Sequence, residues 1–205
     1  MAASTPAGTA PRGRKAQRDT AHRILDVAER LVQQRGFNGF SYADVAAQLG
    51  ITKASLHYHF PSKAKLGQAL IGRYAERFAN ALRRIDAEAA PAADKLAAYA
   101  ELYADVLRVR RMCLCGMLAA EYRTLPKSMM QEVVAFFDSN EEWLAGVLDA
   151  GRSDGTLRFD GSARDTATMV IGALEGAMLV ARPYGDVERF ETTVRALLAG
   201  FAPLR

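Results

Sequence analysis

The most reactive side chains in this 205-residue chain are two cysteines, Cys113 and Cys115, within Met112-Cys-Leu-Cys-Gly-Met-Leu-Ala-Ala-Glu121. One intervening residue sets them about 200° apart on a helix and cannot be bridged without strain on a strand, so a mutual disulfide is not expected. Arg110 and Arg111 come just before Cys113, which falls near a predicted helix start. Cationic neighbours and a helix N-terminus both favour the thiolate. The residue types point to a reactive or sensing thiol, with two inert core cysteines as the alternative. Cysteine catalysis needs a base, and the three histidines, His22, His57 and His59, all lie in the first third of the chain. No His/Cys spacing suits a metal, so neither a metal nor another cofactor is expected and an enzyme is disfavoured.

A second constellation has milder chemistry. Residues 41–60 read SYADVAAQLGITKASLHYHF. Two short amphipathic helices flank a turn at Leu49-Gly50-Ile51, and Val45, Ala46, Leu49, Ile51 and Leu56 can pack them across one another. The second helix keeps Thr52, Lys53, Ser55 and His59 on a low-bulk outer face. Small residues let such a helix enter the major groove of DNA, where hydroxyl, amine and imidazole groups reach base edges and phosphates. The free N–H groups at its start favour phosphate oxygens. Ser41 and Lys63, at the starts of the flanking helices, are placed to clamp backbone phosphates on either side.

The elements that must position these groups read as helices throughout. An apolar stripe of Ile24, Leu25, Ala28, Leu31 and Val32 predicts a helix from Arg18 to Gly36. Further helices are predicted from Ser62 to about Ala90, Pro91 to Arg108, Cys113 to Leu125, Pro126 to Gly151, Ser162 to Arg182 and Asp186 to Gly200. No alternating strand pattern occurs, so the expected fold is all-α with about nine helices. Residues 1–15, rich in Ala, Pro, Gly and Thr, read as a disordered basic arm. Arg12, Arg14, Lys15 and Arg18 suit either a phosphate-tracking arm or a solvated tail. The expected division is this arm, a helix-turn-helix domain over 16–63, and a helical body over 64–205.

Charge agrees with that division. The first 65 residues carry ten Lys/Arg against four Asp/Glu, and the rest 17 against 19. A basic front on a slightly acidic body is the footprint of a nucleic-acid binder. The apolar run Met169–Ala181 is broken by Glu175 and is shorter than the ~20 residues of a membrane span. The N-terminus has no apolar segment behind its charges, so no secretory signal is read. A cytoplasmic protein without a membrane partner is the expectation.

Residues 18–78 resemble the N-terminal DNA-binding domain of the TetR (AcrR) family. ILDVAERLVQQRGF is followed, in order and without gaps, by SYADVAAQLGITKASLHYHFPSKAKL. The resemblance implies a homodimeric regulator, most simply a repressor, bound to double-stranded operator DNA. It places Thr52, Lys53, Ala54 and Ser55 at the groove-facing start of the recognition helix, and Tyr58, His59 and Lys63 against the backbone. Phe60 would plug the core. Ala54 stands where glycine is common. His57 stands where many members carry tyrosine, and either packing or a phosphate contact is open to it.

The resemblance also implies a variable C-terminal half that binds a small apolar or electrophilic effector. The candidates there are Cys113, Cys115, Met117 and Glu121, with Tyr99, Tyr103, Phe136, Phe137, Trp143 and Met169 from neighbouring helices. Some members with a cysteine at the start of this helix respond to electrophiles or oxidants, and the Cys113 stretch looks similar. Dimerisation is expected through the small residues Gly172, Ala173, Gly176 and Ala177, with Leu174, Met178, Leu197, Leu198 and Phe201 adding apolar area to a four-helix bundle. Two reading heads ~34–36 Å apart would then match a palindromic site.

Overall fold

Proline is well placed at the first position of a helix, where its missing N–H costs nothing. Helix α1 (Pro11–Arg35) opens on such a residue, seven residues before the expected start. The computed structural model describes residues 11–88 and 90–203. Residues 1–10 of the expected arm, and the side chains of Arg12, Arg14 and Lys15, lie outside the described residues. Helix now occupies 11–15, where an arm was expected.

Nine α-helices and two short 3-10 turns follow one another among the described residues. Helix α1 buries Ile24, Val27, Ala28, Leu31 and Val32 and ends at Gly36, whose φ of +82° closes the turn. Helices α2 (Tyr42–Leu49) and α3 (Lys53–His59) cross beside it, and α4 (Lys63–Ala87) runs from this head into the body. The body holds α5 (Ala92–Arg108), α6 (Leu114–Ala120), α7 (Lys127–Ser153), α8 (Ala163–Ala181) and α9 (Val187–Ala199). Helix α5 is central and touches α4, α7, α8 and α9. The sixth helix is shorter than its expected span, Cys113 to Leu125, because its last residues fold into the 3-10 turn Tyr122–Thr124.

The body's interior is filled by rings. Phe78 meets Tyr99, Tyr103 and Phe136 edge-on at 5.9, 6.0 and 5.3 Å. Trp143 stacks on Tyr99 at 5.6 Å and donates its indole N–H to Asp86. The Tyr99 and Tyr103 hydroxyls lie 2.9 Å apart, and Tyr99 also donates to Asn140. Each buried hydroxyl thus has a partner, as burial requires.

Helix α5 ends in a Schellman turn. Arg111 N donates to Val106 O and Arg110 N to Leu107 O, while Arg110 takes the left-handed position at φ 57°. Glycine is the usual occupant of that position.

One charged cluster binds α1 to α4. Glu29, nearly buried, accepts from Arg73 and Arg77, and Arg73 also reaches Asp26 at 2.7 Å. The outer face of α8 stays uncovered: Met169, Leu179 and Val180 are more than half exposed. Gly172 and Gly176 lie on the same face with open space where a Cβ would stand. Phe201 does not join that face. It is buried against Phe159, and its carbonyl accepts from Arg158 N. Leu197 and Leu198 are half-buried against their own chain.

Candidate nucleic-acid interface

The site is built by caps. Ser41 starts α2 with a capping box: its hydroxyl accepts from Asp44 N, while the Asp44 carboxylate accepts from Ser41 N at 2.7 Å. The Ser41 hydroxyl and the Ser41 N–H, both donating to it, hold the Asp44 carboxyl below the usual carboxylate range. At the other end Gly50, with φ 65°, reverses the chain, and Ile51 N reaches back to Ala46 O. A residue later Thr52 caps α3, its Oγ accepting from Ser55 N at 3.1 Å. Every bond that shapes this turn is local, so the geometry follows from the sequence at close range.

Packing then fixes which face of α3 is free. Leu56 is buried beneath it with Val45 and Ala46. Tyr42 closes the far end by donating to Phe60 O at 2.8 Å, and burial pushes its phenol up to about 12. Phe60 packs against the core as expected of a plug. Lys53, Ala54, His57 and Tyr58 remain exposed, with Ser55 and His59 half-exposed. Tyr58 is 70% exposed and its hydroxyl accepts from Gln17 Nε2 at 3.1 Å, a link from α1 that the sequence did not single out. His57 meets the Tyr42 ring at 4.7 Å in a tilted contact, with Nδ1 3.3 Å from Pro61 O, so this histidine packs along one edge.

Two expected phosphate clamps are otherwise occupied. The Ser41 hydroxyl donates to Asp44 at 2.6 Å. The Lys63 ammonium turns inward, donating to Phe40 O beneath the rings of Phe37 and Phe40. Burial lowers its pKa, with the Glu121 and Asp44 carboxylates opposing the shift. Lys63 therefore braces the corner between α1 and α2.

Glu121 and Met117 leave the expected pocket and join the head to the body. The Glu121 carboxylate accepts from Phe37 N at 2.6 Å and Asn38 N at 3.1 Å, just past the end of α1. Thr124 adds a bond to Asn38. On the other flank Arg182 donates to Gln34 O and to Met117 Sδ, and Met112 N donates to Gln33 O. The end of α1 is thus gripped from both sides by body residues whose contacts with it no local sequence pattern announces.

The remaining pocket candidates also fall elsewhere. Tyr99 and Tyr103 fill the core with no exposed surface to speak of, Phe137 and Trp143 pack at its edge, and Met169 points outward from α8. The expectation of a Cys113 thiolate is overturned. Cys113 and Cys115 are both buried, and burial raises the Cys113 thiol well above its ordinary value, as does the nearby Glu175 carboxylate. Cys113 caps α6 through Gly116 N at 3.4 Å, but that weak donor does not offset the burial. Arg110 and Arg111 turn away toward a surface cleft. Glu175, noted in the sequence only as a break in an apolar run, lies directly over Gly116, where a Cβ would collide with its carboxylate. Burial raises its carboxyl pKa.

Comparison with known proteins bears on this geometry. Residues 24–70 match the profile described as bacterial regulatory proteins, tetR family, and residues 92–197 match the tetracyclin repressor-like C-terminal domain. A TetR-family regulator from Agrobacterium tumefaciens is 33% identical, superposes with a TM-score of 0.87, and is covered over 99% of its length by 91% of this chain. The Escherichia coli repressor NemR is 25% identical over 87% of this chain and 92% of its own, and the structure of its reduced form superposes with a TM-score of 0.77. The match to TtgR of Pseudomonas putida, 31% identical, is confined to 77 residues, 38% of this chain and 37% of that protein. Two matched domains and a shared architecture over nearly the whole length leave one assignment: the chain belongs to the TetR family of transcriptional regulators, and its role is regulatory rather than enzymatic.

Proposed function

We propose that two copies of this chain repress transcription by binding a palindromic operator, each through α3, and that a small apolar or electrophilic effector taken up by the body releases the DNA. The observation that carries this reading is the free edge of α3. Lys53, Ala54 and Tyr58 project from a helix whose start is capped by Thr52 and whose floor is closed by Leu56. A helix held this way presents its first turn to a groove without paying to order it. The working division is a reading head over 16–63 and a body over 64–205.

Dimerisation is supported by the outer face of α8. A Cβ at Gly172 or Gly176 would meet nothing outside its own helix among the described residues, and Met169, Leu179 and Val180 expose apolar surface beside them. Small residues between apolar ones let a second helix approach closely. Effector uptake is supported by an apolar cleft of about 390 Å³ between α4 and α7, bordered by Ile71, Ala75, Phe78, Leu82 and Phe136. An effector works only if it binds the released state better than the DNA-bound one.

Fluorescence anisotropy against the DNA upstream of the chain's own gene tests the reading, with scrambled DNA as control. Tight binding at physiological salt that rejects the scramble supports it; equal binding to both DNAs at low salt only overturns it. Lys53→Ala is expected to weaken operator binding on the order of tenfold and to reduce the slope of log K against log salt by about two, one contact from each copy.

Release by cysteine modification would require the body to open first, since Cys113 is 1% exposed. N-ethylmaleimide is expected to label it at least about a hundredfold more slowly in the native protein than in the unfolded chain at neutral pH. Because the folded thiol's pKa is raised, native labelling should keep accelerating as pH climbs past the ordinary thiol range. Rapid native labelling at neutral pH, followed by mass spectrometry, would restore the sensor role for Cys113.

A further inference from the structure

The C-terminal turn of α5 and the turn between α8 and α9 enclose a second cleft, about 490 Å³ in volume, beside the end of α1. Arg110, Arg111 and Arg182 line it. The one carboxylate there, Asp186, is already engaged, capping Glu188 N at 3.0 Å and lying 3.7 Å from Arg189. None of the three arginines has an ion-pair partner among the described residues. Arg182 donates only to uncharged acceptors, Gln34 O and Met117 Sδ. The Nε of Arg111 is buried with no acceptor at all. Buried, unanswered donors are costly, and guanidinium forks are the groups best shaped to hold a carboxylate.

Two further features bear on the cleft. Arg110 holds the left-handed position that ends α5, with the only positive φ of any non-glycine among the described residues. Glycine would sit there without strain, and a side chain kept at such a position is a mark of use. The rest of the wall is apolar, with Leu107, Val187 and Tyr184 facing the same space. An inorganic anion would leave that wall bare.

We propose that this cleft binds a small amphipathic carboxylate, its charge held by Arg110 and Arg111 and its apolar part laid against Leu107 and Val187, and that occupancy weakens DNA binding by drawing Arg182 off the Gln34 carbonyl. The first half stands on the cleft alone; the second rests on the DNA-binding reading above.

Isothermal titration calorimetry of the full chain tests the first half with benzoate and hexanoate as probes. Benzamide, hexanamide and inorganic phosphate serve as controls. At least one carboxylate is expected to bind, its amide not measurably, and phosphate at least tenfold more weakly. Arg110→Gly keeps the turn, because glycine favours the left-handed conformation, and so holds or raises the melting temperature; it is expected to lose at least tenfold in carboxylate affinity. Absence of carboxylate binding, equal binding of the amide or of phosphate, or unchanged affinity in Arg110→Gly overturns the site. The second half is read by operator anisotropy: the bound carboxylate should raise the operator Kd at least threefold in the wild type and leave Arg110→Gly unmoved. A carboxylate that binds without moving the operator Kd overturns the coupling and leaves the site. Failure of the unliganded chain to bind operator would count against the earlier reading and not against the cleft.

Discussion

Gly36→Val is expected to cost the folded protein about 3 kcal/mol or more, lowering its melting temperature by roughly 6–12 °C at the ~2–4 °C per kcal/mol of a chain this size. Two penalties combine. Gly36 holds φ +82°, which a β-branched residue reaches only under strain of about 1–3 kcal/mol. A Cβ at this position would also stand 2.9 Å from the Glu121 carboxylate carbon, with an oxygen closer still. That carboxylate cannot simply leave, because it accepts from Phe37 N and Asn38 N, and charge-assisted bonds of this kind are among the stronger ones. A double-mutant cycle separates the two. In a Glu121→Ala background, itself weaker by about 1–3 kcal/mol, the collision is gone and only the backbone strain remains, so Gly36→Val should cost less there. A Gly36→Val protein melting within about 2 °C of wild type would contradict both penalties.

Glu29→Ala carries the second large effect. The carboxylate is 6% exposed and lies between α1 and α4, where it accepts from Arg73 at 2.7 Å and from Arg77. Removing one member of a buried ion pair strands the other, at a cost of about 3–5 kcal/mol in a fully buried setting. Here the loss is expected to fall below that range, at about 2–3 kcal/mol, because Arg77 is half exposed and can swing into water. Arg73 cannot: its side chain is 18% exposed and its remaining partner, Asp26, is largely solvated. Thermal unfolding by circular dichroism checks the value, with Glu29→Gln as the shape-preserving control and expected to fall between the two. If Glu29→Ala and Glu29→Gln both melt with the wild type, the cluster contributes nothing to the α1–α4 seam. The same seam orients the helix-turn-helix on the body, so Glu29→Ala should also weaken operator binding.

The parts of this molecule that were legible in the sequence are those whose causes lie within a few residues. Ser41 with Asp44, Gly50, Thr52 and Ser62 each mark a helix end through bonds spanning five residues or fewer, and those caps delimit α2, α3 and the start of α4. The start of α1 at Pro11 was missed, because the Ala, Pro, Gly and Thr composition of residues 1–15 reads as an arm. What escaped depended on partners distant in the chain. Glu121 meets Phe37 across 84 residues and Arg182 meets Gln34 across 148, and nothing near either residue announces its partner. Lys63 looked like a phosphate clamp because it starts a helix, yet the rings of Phe37 and Phe40 give its ammonium an inward alternative. Tyr99 and Tyr103 were expected to line an effector pocket and instead fill the core, because aromatic residues at helical spacing look the same in either setting. Phe78 and Phe136 supply the filling. Cys113 shows the reverse failure: Arg110 and Arg111 adjoin it in sequence, but past the left-handed turn at Arg110 the thiol lies in the core while both arginines line the neighbouring cleft.

The stacking of Trp143 on Tyr99 gives the molecule a natural optical label. It is the only tryptophan in the chain, carried by α7 against Tyr99 of α5 with its N–H held by Asp86 of α4, so indole emission reports the body alone. The three histidines, at positions 22, 57 and 59, all sit in α1 and α3, so imidazole proton resonances report the head alone. One unmodified polypeptide therefore carries a separate spectroscopic reporter in each half. In a denaturant titration, coincident curves mean that the head melts together with the body through the grip of Glu121 and Arg182 on α1. An imidazole transition that precedes the indole one means that the reading head comes loose while the body is still folded.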